Sequence, residues 1–557
     1  MAEKQVNREW WKNAVVYQVW PRSFKDGNGD GIGDLKGIYE KLDYIKSLGV
    51  DAIWFSPLYA SPQKDYGYDI ADYYAIAPEY GTMDEFKAVL DKAHSLGMKV
   101  IMDLVINHTS NQHKWFLESR KGGDDNPYND YYIWRKGKGK DGKRPPNNWN
   151  STFPGEGWEF DEVRGEYYLH LFAVEQPDLN MDNPKVREEV KNIMRFYLEM
   201  GVDGFREDVI TFISKREGLP NGFPLPTARG MEHYVNGPNI HKYLTEFREV
   251  LEEYGGMNVG EAPMINPRVA LRYVTEGKGK ELDMMFHFQH MACDSVIINW
   301  FRKPFSLVQL KKILNNWQTK LYGKAWNAIY LENHDQPRII SRYGSEKFRT
   351  ESGKALACLL LCQSGTPFIY QGQEIGMLNY PFKEMSDFVD VNTFAFYNLL
   401  KGLGLKHETI LKKAKYAARD NARTPVQWSA GKNAGFTDGE KPWFAINPNY
   451  TEVNVENALS DPESLLNFYK KLIALRKQYK SLVAGSFHLY YKSDKKLFVC
   501  EKRFEGEKIF VIINMSEGNT MLKAPARIDL NKAELLIGNY DNKENILKPY
   551  ECRIYKI

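Results

Sequence analysis

Acidic residues end several apolar segments of this chain. Asp208, Glu261 and Asp335 each close or follow a short apolar stretch. Charged side chains at the ends of buried segments are costly unless they are paired or used. Two carboxylates about 5–5.5 Å apart, one ionised and one protonated, are what a retaining glycoside-cleaving site needs. A third carboxylate can hold the hydroxyl groups of a sugar, so the set predicts glycoside chemistry.

Basic residues accompany these acids. Arg206 stands two positions before Asp208, and His108 and His334 lie in the segments that carry the other acids. An adjacent guanidinium is expected to lower the pKa of a carboxylate nucleophile, whereas an acid in a drier setting keeps its proton. Asp103 taken alone could orient Arg206 or cap a loop. The acids taken together predict one reaction site.

Short apolar strands alternate with amphipathic helices along most of the chain. The strand candidates are Val15–Val19, Ala52–Phe55, Val100–Val105, Gly204–Val209, Asn258–Glu261, Met284–Phe288, Ala328–Leu331 and Pro367–Tyr370. Helical stretches between them include Leu35–Leu48, Met83–Leu96 and Lys185–Met200. This alternation predicts an α/β fold, a (β/α)₈ barrel, whose active site lies at the carboxyl ends of the strands.

Two regions depart from the alternation. Residues 107–177 follow the third strand and are rich in Gly, Asn, Trp and Tyr, which predicts a small inserted domain. Residues 483–557 contain short alternating strands and predict a C-terminal β-sandwich. The barrel would therefore comprise residues 1–106 and 178–482.

Composition narrows the function classes. The 557 residues carry a net charge of only +3, which gives no electrostatic reason for a nucleic-acid partner. We find no apolar run long enough for a membrane span and no apolar signal segment. Five scattered cysteines indicate neither a disulfide framework nor a metal site, so we expect a cytoplasmic protein.

The motifs around the acids resemble those of the α-amylase superfamily of glycoside hydrolases, and in particular its oligo-1,6-glucosidase and α-glucosidase group. The similarity covers nearly the whole chain and includes four segments besides Gln176–Asn180. These segments are Asp103–His108, Gly204–Asp208, the stretch around Glu261, and Asn333–Asp335. The resemblance implies that Asp208 is the nucleophile, Glu261 the general acid and base, and Asp335 the transition-state stabiliser.

The resemblance also implies a pocket for one terminal glucose. Arg206 would pair with the nucleophile, and Tyr68 would stack on the sugar. Arg423 is the expected partner of Asp65, and whether Arg419 or Arg423 reaches the sugar stays open. The full set of implied substrate-binding residues is Asp65, Tyr68, His108, Phe172, Gln176, Arg206, His334 and Arg423.

Three positions bear on specificity. In the related group, valine at the position of Val209 accompanies α-1,6 activity, whereas alanine or threonine accompanies a preference for α-1,4 bonds. The β-branched, apolar side chain of valine is expected to narrow the entry to the next sugar. Glu207 stands where the group usually has Met or Leu, and we expect it to face away from the site because neighbouring strand residues alternate. The segment Ala262–Met264 also departs from the usual pattern and bears on the leaving-group preference.

A loop after the first strand has alternating oxygen-bearing side chains separated by glycines. Such spacing suits a hard cation, although the twelfth position is Gly37 and not the Glu of an EF-hand. The resemblance implies a structural Ca²⁺ or Mg²⁺ held by Asp26, Asn28, Asp30, Ile32 and Asp34. The alternative is a hydrogen-bonded turn without metal.

Other reactions in the same kind of pocket are the main alternatives. These are α-1,4-glucosidase, sucrose isomerase or transglucosidase, and trehalose-6-phosphate hydrolase activity. The motif of sucrose isomerases is missing from the stretch after the sixth strand. A non-enzymatic relative is disfavoured because all three acids are present. We expect a small oligosaccharide as the only partner, and a monomer or weak homo-oligomer.

Overall fold

Eight parallel strands form the central sheet in the computed structural model, which describes residues 9–225, 228–277, 279–296, 298–542 and 544–557. Their hydrogen-bonded order is β6-β5-β4-β3-β2-β1-β8-β7, and β6 lies beside β7, so the sheet curls into a near-closed barrel. The predicted (β/α)₈ barrel is confirmed. The strands are β1 (Val16–Val19), β2 (Ala52–Phe55), β3 (Lys99–Leu104), β4 (Gly204–Glu207), β5 (Met257–Ala262), β6 (Met284–His287), β7 (Ala328–Ile329) and β8 (Thr366–Tyr370).

Amphipathic helices surround the barrel. In α1 the side chains of Leu35, Ile38, Leu42 and Ile45 are buried, at the spacing of one helix face. Asp34 caps the first turn of this helix by accepting from the Gly37 N–H. The helices are α1 (Leu35–Ser47), α2 (Met83–Ser95), α3 (Pro184–Met200), α4 (Ile240–Tyr254), α5 (Pro267–Val274), α6 (Leu307–Leu321), α7 (Arg349–Leu361) and α8 (Leu465–Gln478).

An inserted segment follows β3, as expected. It holds a short helix, Lys114–Ser119, and a three-stranded antiparallel sheet. The strands of this sheet are Trp134–Arg135, Trp158–Asp161 and Glu166–Leu169. Its aromatic side chains form a small core of their own, which also takes in the turn after β4. The segment therefore packs directly onto the end of the strand that carries Arg206.

A second insertion lies between β8 and α8 and was not predicted from the sequence. It contains the helices Val391–Gly402, His407–Ala417 and Val455–Ser460. Phe382, Phe388, Phe396 and Ile410 belong to its separate apolar core. The insertion stands at the carboxyl end of β8 and so adds a wall to the mouth of the barrel.

The chain ends in a five-stranded antiparallel sheet, preceded by the helix Lys480–Ala484. Its order is β9-β10-β11-β13-β12, and Thr520–Met521 pairs with Ile546–Leu547 in a second, two-stranded sheet. Successive residues of β10 alternate between two cores: Phe498 and Cys500 join the barrel core, whereas Leu497 and Val499 join a local one. The strands are β9 (Ser486–Tyr490), β10 (Leu497–Phe504), β11 (Glu507–Asn514), β12 (Glu534–Gly538) and β13 (Cys552–Lys556).

No helix among the described residues is long and apolar enough to cross a membrane. All five cysteines are free and buried. Cys358 on α7 and Cys552 on β13 approach each other, with their sulfur atoms 3.1 Å apart, at the contact between the barrel and the C-terminal sheet.

Candidate active site

The expected acids meet at the carboxyl ends of adjacent barrel strands. Asp103 on β3 lies in register with Arg206 on β4, and Asp208 follows β4 directly. Glu261 lies near the end of β5, beside β4. The strands are parallel neighbours, so side chains far apart in sequence come together at one rim.

Arg206 is the centre of this group. Its Nη1 donates to Asp103 Oδ1 at 2.7 Å and to Asp208 Oδ1 at 2.6 Å. Its Nη2 lies 2.6 Å from Glu261 Oε2. All four side chains are buried. The guanidinium is always charged and its planar fork can bind several carboxylates at once, which brings the expected nucleophile and the expected acid close together.

We expected Arg206 to lower the pKa of Asp208, and the structure corrects this expectation. Burial, and then repulsion by Glu261 and Asp103, raise the pKa of Asp208 well above its usual range, and Arg206 opposes this without cancelling it. One guanidinium faces three buried carboxylates, so Arg206 does not lower the pKa of Asp208 below its usual range.

Asp335 occupies a different electrostatic setting. Its Oδ1 accepts from Arg423 Nη2 at 2.9 Å and from Arg419 Nη1 at 3.3 Å, and its Oδ2 lies 3.3 Å from His334 Nε2. Burial raises the pKa of Asp335, but His334 and the two arginines outweigh it and hold the pKa well below its usual range. Asp335 is therefore ionised at neutral pH.

Tyr68 and His334 form one face of the mouth. Their rings stack with centroids 5.2 Å apart and an angle of 8° between the planes. The Tyr68 hydroxyl donates to Asp103 Oδ2 at 3.0 Å and lies 2.7 Å from His334 Nε2. Gln18 Nε2 lies 2.8 Å from His334 Nδ1, so this β1 residue sets the orientation of the imidazole, a role that sequence reasoning missed.

The partner of Asp65 differs from the expected one. Arg419 Nη2 donates to Asp65 Oδ1 at 2.8 Å, and Gln176 Nε2 donates to Asp65 Oδ2 at 3.2 Å. The expected Asp65–Arg423 pair was wrong: Arg423 contacts Asp335 instead. Arg419 is the first residue of the short turn Arg419–Ala422, and its side chain extends to Asp65. Arg423 follows this turn, and its side chain is buried.

His108 and Phe172 lie on the inserted-domain side. His108 Nε2 is 3.1 Å from the Tyr68 carbonyl oxygen and 3.2 Å from Gln176 Nε2. Burial lowers the pKa of His108 to about 4, so its imidazole is neutral at pH 7. The Phe172 ring lies 4.9 Å from the His108 ring. All the expected substrate-binding side chains thus belong to one connected network.

Asp390 is a site residue that the sequence reading missed. It is fully buried, and it accepts from Arg419 Nε at 3.0 Å and from Arg423 Nη1 at 3.3 Å. Arg419 and Arg423 stand four positions apart, and two buried arginines require nearby anions, which is the signal that could have indicated a further buried acid. Asp390 precedes the first helix of the second insertion, and the sequence around it contains no motif that marks it as a site residue.

Glu207 faces away from the mouth, as expected from strand alternation. Its Oε1 accepts from Asn258 Nδ2 at 2.9 Å, and its Oε2 is buried with no hydrogen-bond partner in the described part of the chain. Burial raises the pKa of Glu207 to about 7. This carboxyl group belongs to the layer between barrel and helices.

The expected metal loop is closed by its own hydrogen bonds. Asp26 accepts from the N–H groups of Gly29 and Gly31, each at 2.7 Å. The Asn28 and Asp30 side chains accept from the N–H groups two residues ahead. Across the described ranges, no group of three or more His, Cys, Asp or Glu side chains is placed to hold a metal ion.

Known proteins share this architecture. The family model "Alpha amylase, catalytic domain" matches residues 18–485. An oligo-1,6-glucosidase of Parageobacillus thermoglucosidasius is 50% identical over 99% of this chain and 100% of its own. A solved trehalose-6-phosphate hydrolase of Bacillus licheniformis is 45% identical, with a TM-score of 0.92 over 98% of this chain and 99% of its own.

A solved isomaltulose synthase of Klebsiella sp. LX3 is 41% identical, with a TM-score of 0.94 over 98% of this chain and 99% of its own. These relatives are named for different reactions, although they share one family and one fold. With the family model covering most of the chain and with an eight-stranded barrel that gathers its acids at one rim, the protein belongs to the α-amylase family of glycoside hydrolases.

Proposed function

We propose that the protein is a retaining, exo-acting α-glucosidase that hydrolyses terminal α-1,6-linked glucose from isomaltose and short isomalto-oligosaccharides. The observation that carries the proposal is the ion pair between Asp65 and Arg419, whose guanidinium also contacts Asp335. An ion pair at the end of the pocket limits it to one terminal glucose. The family's chemistry then acts on the bond that links this glucose to the rest of the chain.

In the proposed mechanism the acids take the roles that the resemblance to the family implies. The Asp208 carboxylate attacks the anomeric carbon, the glycosidic C–O bond breaks, and Glu261 gives its proton to the departing oxygen. In the second step Glu261 takes a proton from water, the water oxygen bonds to the anomeric carbon, and the bond to Asp208 breaks. Asp335 stays ionised throughout and holds the sugar hydroxyls, which supports the charged transition state.

The proposed linkage depends on Val209 and on the relatives. Val209 directly follows Asp208 and is 7% exposed, at the mouth of the barrel. The Parageobacillus relative, at 50% identity over the full chain, is an oligo-1,6-glucosidase by name. Both features favour α-1,6 hydrolysis over the reactions of the trehalose-6-phosphate hydrolase and the isomaltulose synthase.

Initial rates on isomaltose, maltose, sucrose and trehalose 6-phosphate test the proposal. We expect kcat/KM for isomaltose to exceed the others at least tenfold, about 1.4 kcal/mol of transition-state discrimination. A lead for trehalose 6-phosphate, or conversion of sucrose to an isomer, would replace the proposal by the activity of the corresponding relative. Asp208→Asn should abolish turnover on every substrate while the circular dichroism spectrum stays unchanged.

We also propose that the loop Asp26–Asp34 binds a structural Ca²⁺ or Mg²⁺. Its donor set of carboxylates, one amide oxygen and the Ile32 carbonyl fits a hard cation chemically. Burial, with repulsion from Asp26 as a smaller cause, raises the pKa of Asp34, and a cation would relieve this repulsion. Removing metal with EDTA should lower Tm by several degrees, and adding Ca²⁺ should restore it. An unchanged Tm would leave the loop as a self-bonded turn.

The compartment and assembly are part of the proposal. Five free, buried thiols suit a reducing cytoplasm. We propose a monomer or a weak homo-oligomer, and sedimentation velocity over a hundredfold range of concentration tests it. A concentration-independent dimer would contradict it.

A further inference from the structure

The chain changes direction at Val209. This residue has φ 34° and ψ 41°, the left-handed conformation, although its side chain is β-branched. β-Branched residues rarely adopt it, and such strain persists only where the surroundings impose it. Hydrogen bonds impose it from both sides: the Asp208 N–H donates to the Leu104 carbonyl at 3.0 Å, and the Phe212 N–H donates to the Val209 carbonyl at 2.8 Å.

The left-handed turn aims one main-chain group at Glu261. The Val209 N–H donates to Glu261 Oε2 at 3.2 Å, and the same oxygen lies 2.6 Å from Arg206 Nη2. An oxygen that faces two N–H groups cannot also carry a proton without opposing one of them. A proton on this carboxyl group is therefore expected on Oε1 rather than on Oε2.

Close packing of β5 keeps this contact short. A Cβ atom on Gly260 would lie 2.9 Å from Ile210 Cγ2 and 2.7 Å from Leu282 Cδ1. Only glycine allows the strand to approach the turn this closely. Glu261, the next residue of the strand, is thereby brought within reach of the Val209 N–H.

The side chain of Val209 points into a different environment. It belongs to the apolar cluster of the inserted domain, with Phe212, Leu219 and Tyr234 among its members. The main chain of Val209 thus contacts the reacting acids, while its side chain packs against the wall of the mouth. The two parts of the residue can be changed separately.

We propose that the main-chain N–H of Val209 is a positioning group that holds the Oε2 atom of Glu261. This first role is separable from a second one, the bearing on linkage that the family resemblance already implies for the Val209 side chain. The inference rests on the proposed function in that Glu261 is the general acid. Loss of the N–H would weaken proton donation. It would therefore lower kcat/KM for substrates whose leaving group needs a proton, and it would have little effect on substrates whose leaving group departs unprotonated.

A main-chain ester tests the first role. Replacing Val209 by 2-hydroxyisovaleric acid, through nonsense suppression, exchanges the N–H for oxygen and keeps the side chain. We expect kcat/KM for isomaltose to fall at least tenfold, within the roughly 10²–10⁴-fold contribution of a positioned acid, and kcat/KM for 4-nitrophenyl α-glucoside to fall less than about threefold. Equal losses on the two substrates, or no loss, would overturn the proposal.

A matched ester at Phe212 is the control. It removes one main-chain hydrogen bond from the same turn without touching Glu261. We expect it to change the rates on both substrates by the same factor. If this ester instead reproduces the isomaltose-selective loss, the effect comes from weakening the turn, and the proposal fails.

Side-chain variants test the second role. Glycine tolerates the left-handed conformation, so Val209→Gly should keep the N–H in place. We expect the ratio of the isomaltose rate to the 4-nitrophenyl glucoside rate to stay within about threefold of wild type, while the isomaltose-to-maltose ratio changes at least tenfold. Val209→Thr also keeps the N–H and should preserve the first ratio. It should shift the second ratio toward maltose, since threonine at this position accompanies α-1,4 preference in the related group. If Val209→Gly, like the ester, loses activity on isomaltose but not on 4-nitrophenyl α-glucoside, the two roles are not separable.

The two proposals can fail independently. If the wild-type enzyme prefers maltose to isomaltose, the proposed linkage is wrong, and maltose replaces isomaltose in the comparison with the aryl glucoside. A selective loss with the Val209 ester would still support the positioning role. An ester variant that treats alkyl and aryl leaving groups alike would refute that role whichever linkage the enzyme prefers.

Discussion

One guanidinium contacts three carboxylates at the mouth of the barrel, and a separate pair of arginines contacts the fourth. This division explains how neighbouring acids can differ in protonation. Arg206 is shared among Asp103, Asp208 and Glu261, and the pKa of Asp208 is raised. Asp335 has Arg419 and Arg423 beside it, and its pKa is lowered. The two environments thus shift the pKa values of these acids in opposite directions.

Arg419→Ala tests the end of the pocket. The variant removes the direct cationic partner of Asp65, and breaking a buried pair costs about 3–5 kcal/mol. We expect kcat/KM on the preferred disaccharide to fall roughly 10²–10³-fold. Because the two residues act as a unit, the double variant Asp65→Asn/Arg419→Ala should be no worse than the poorer single variant. Additive losses in steady-state kinetics would mean that they act independently.

Glu207 makes a distinct contribution to the pH dependence of stability. Its pKa is about 7 in the folded protein and 4.5 in the unfolded chain, so the folded state binds more protons between these values. Stability from this group is present below pH 4.5 and is lost as the pH rises to about 7. At about 1.4 kcal/mol per pH unit the loss is roughly 3 kcal/mol.

Glu207→Gln should remove that loss. The amide oxygen can still accept from Asn258, but the side chain no longer ionises. The free energy of unfolding of the variant, relative to wild type, should increase from pH 5 to pH 7 and then level off. Urea unfolding at several pH values measures it. If the difference in unfolding free energy between the variant and wild type does not depend on pH, Glu207 is not the group whose titration lowers the stability.

At the scale of elements, the barrel could be predicted closely. The strand expected at Ala52–Phe55 is found there, because all four of its side chains are buried and apolar. The strand expected at Ala328–Leu331 is only Ala328–Ile329, and Tyr330 and Leu331 are buried outside the ladder. Apolar continuity predicts burial, but it does not say where pairing with a neighbour ends.

The pocket wall from the second insertion could not be predicted. Arg419 and Asp65 are 354 residues apart, and no local pattern links them. Both Arg419 and Arg423 contact Asp390, and only the folded turn shows which of the two side chains also contacts Asp65. The residue types at the strand ends were enough to predict the chemistry. The ion-pair partners of those residues depend on contacts between distant parts of the chain, which the sequence does not show.

Arg476 on α8 ties several elements together. Its Nη1 donates to the carbonyl oxygens of Leu361, Gln363 and Leu482 at 2.6, 2.8 and 2.8 Å, and its Nη2 donates to that of Gly365. These carbonyls close α7, open β8 and end the short helix before the C-terminal sheet.

Arg476→Met should destabilise the protein by about 3–5 kcal/mol, because it leaves buried carbonyl groups unpaired. Lys477→Met on the same helix is the control, since Lys477 is partly exposed and pairs with Asp51 at the surface. That variant should cost less than about 1 kcal/mol. Guanidinium unfolding monitored by tryptophan fluorescence compares them. Similar losses for the two variants would refute the role given to Arg476.

At the scale of the whole molecule, the C-terminal sheet and the barrel share one core. Phe487, Phe498 and Ile554 belong to the same apolar cluster as the barrel strands. Lys311 on α6 donates to the carbonyl oxygens of Tyr491, Asp494 and Leu497 and adds a polar connection. The sheet is therefore an integral layer.

We expect the barrel and the C-terminal sheet to unfold together. Calorimetry of the full chain should give a single transition, because separating the two would expose a large apolar face. A chain that ends at residue 484 should be insoluble for the same reason. Two resolved transitions, or a soluble and active truncated chain, would contradict a shared core.

The Asp65–Arg419 pair has a consequence for biosynthesis. Its two partners leave the ribosome far apart in time, since synthesis proceeds at about 5–20 residues per second. A nascent chain can build the first barrel strands and the inserted domain long before Arg419 emerges. Sugar recognition is thus among the last properties that the growing chain acquires, and regain of activity reports completion of folding more faithfully than regain of helical structure does.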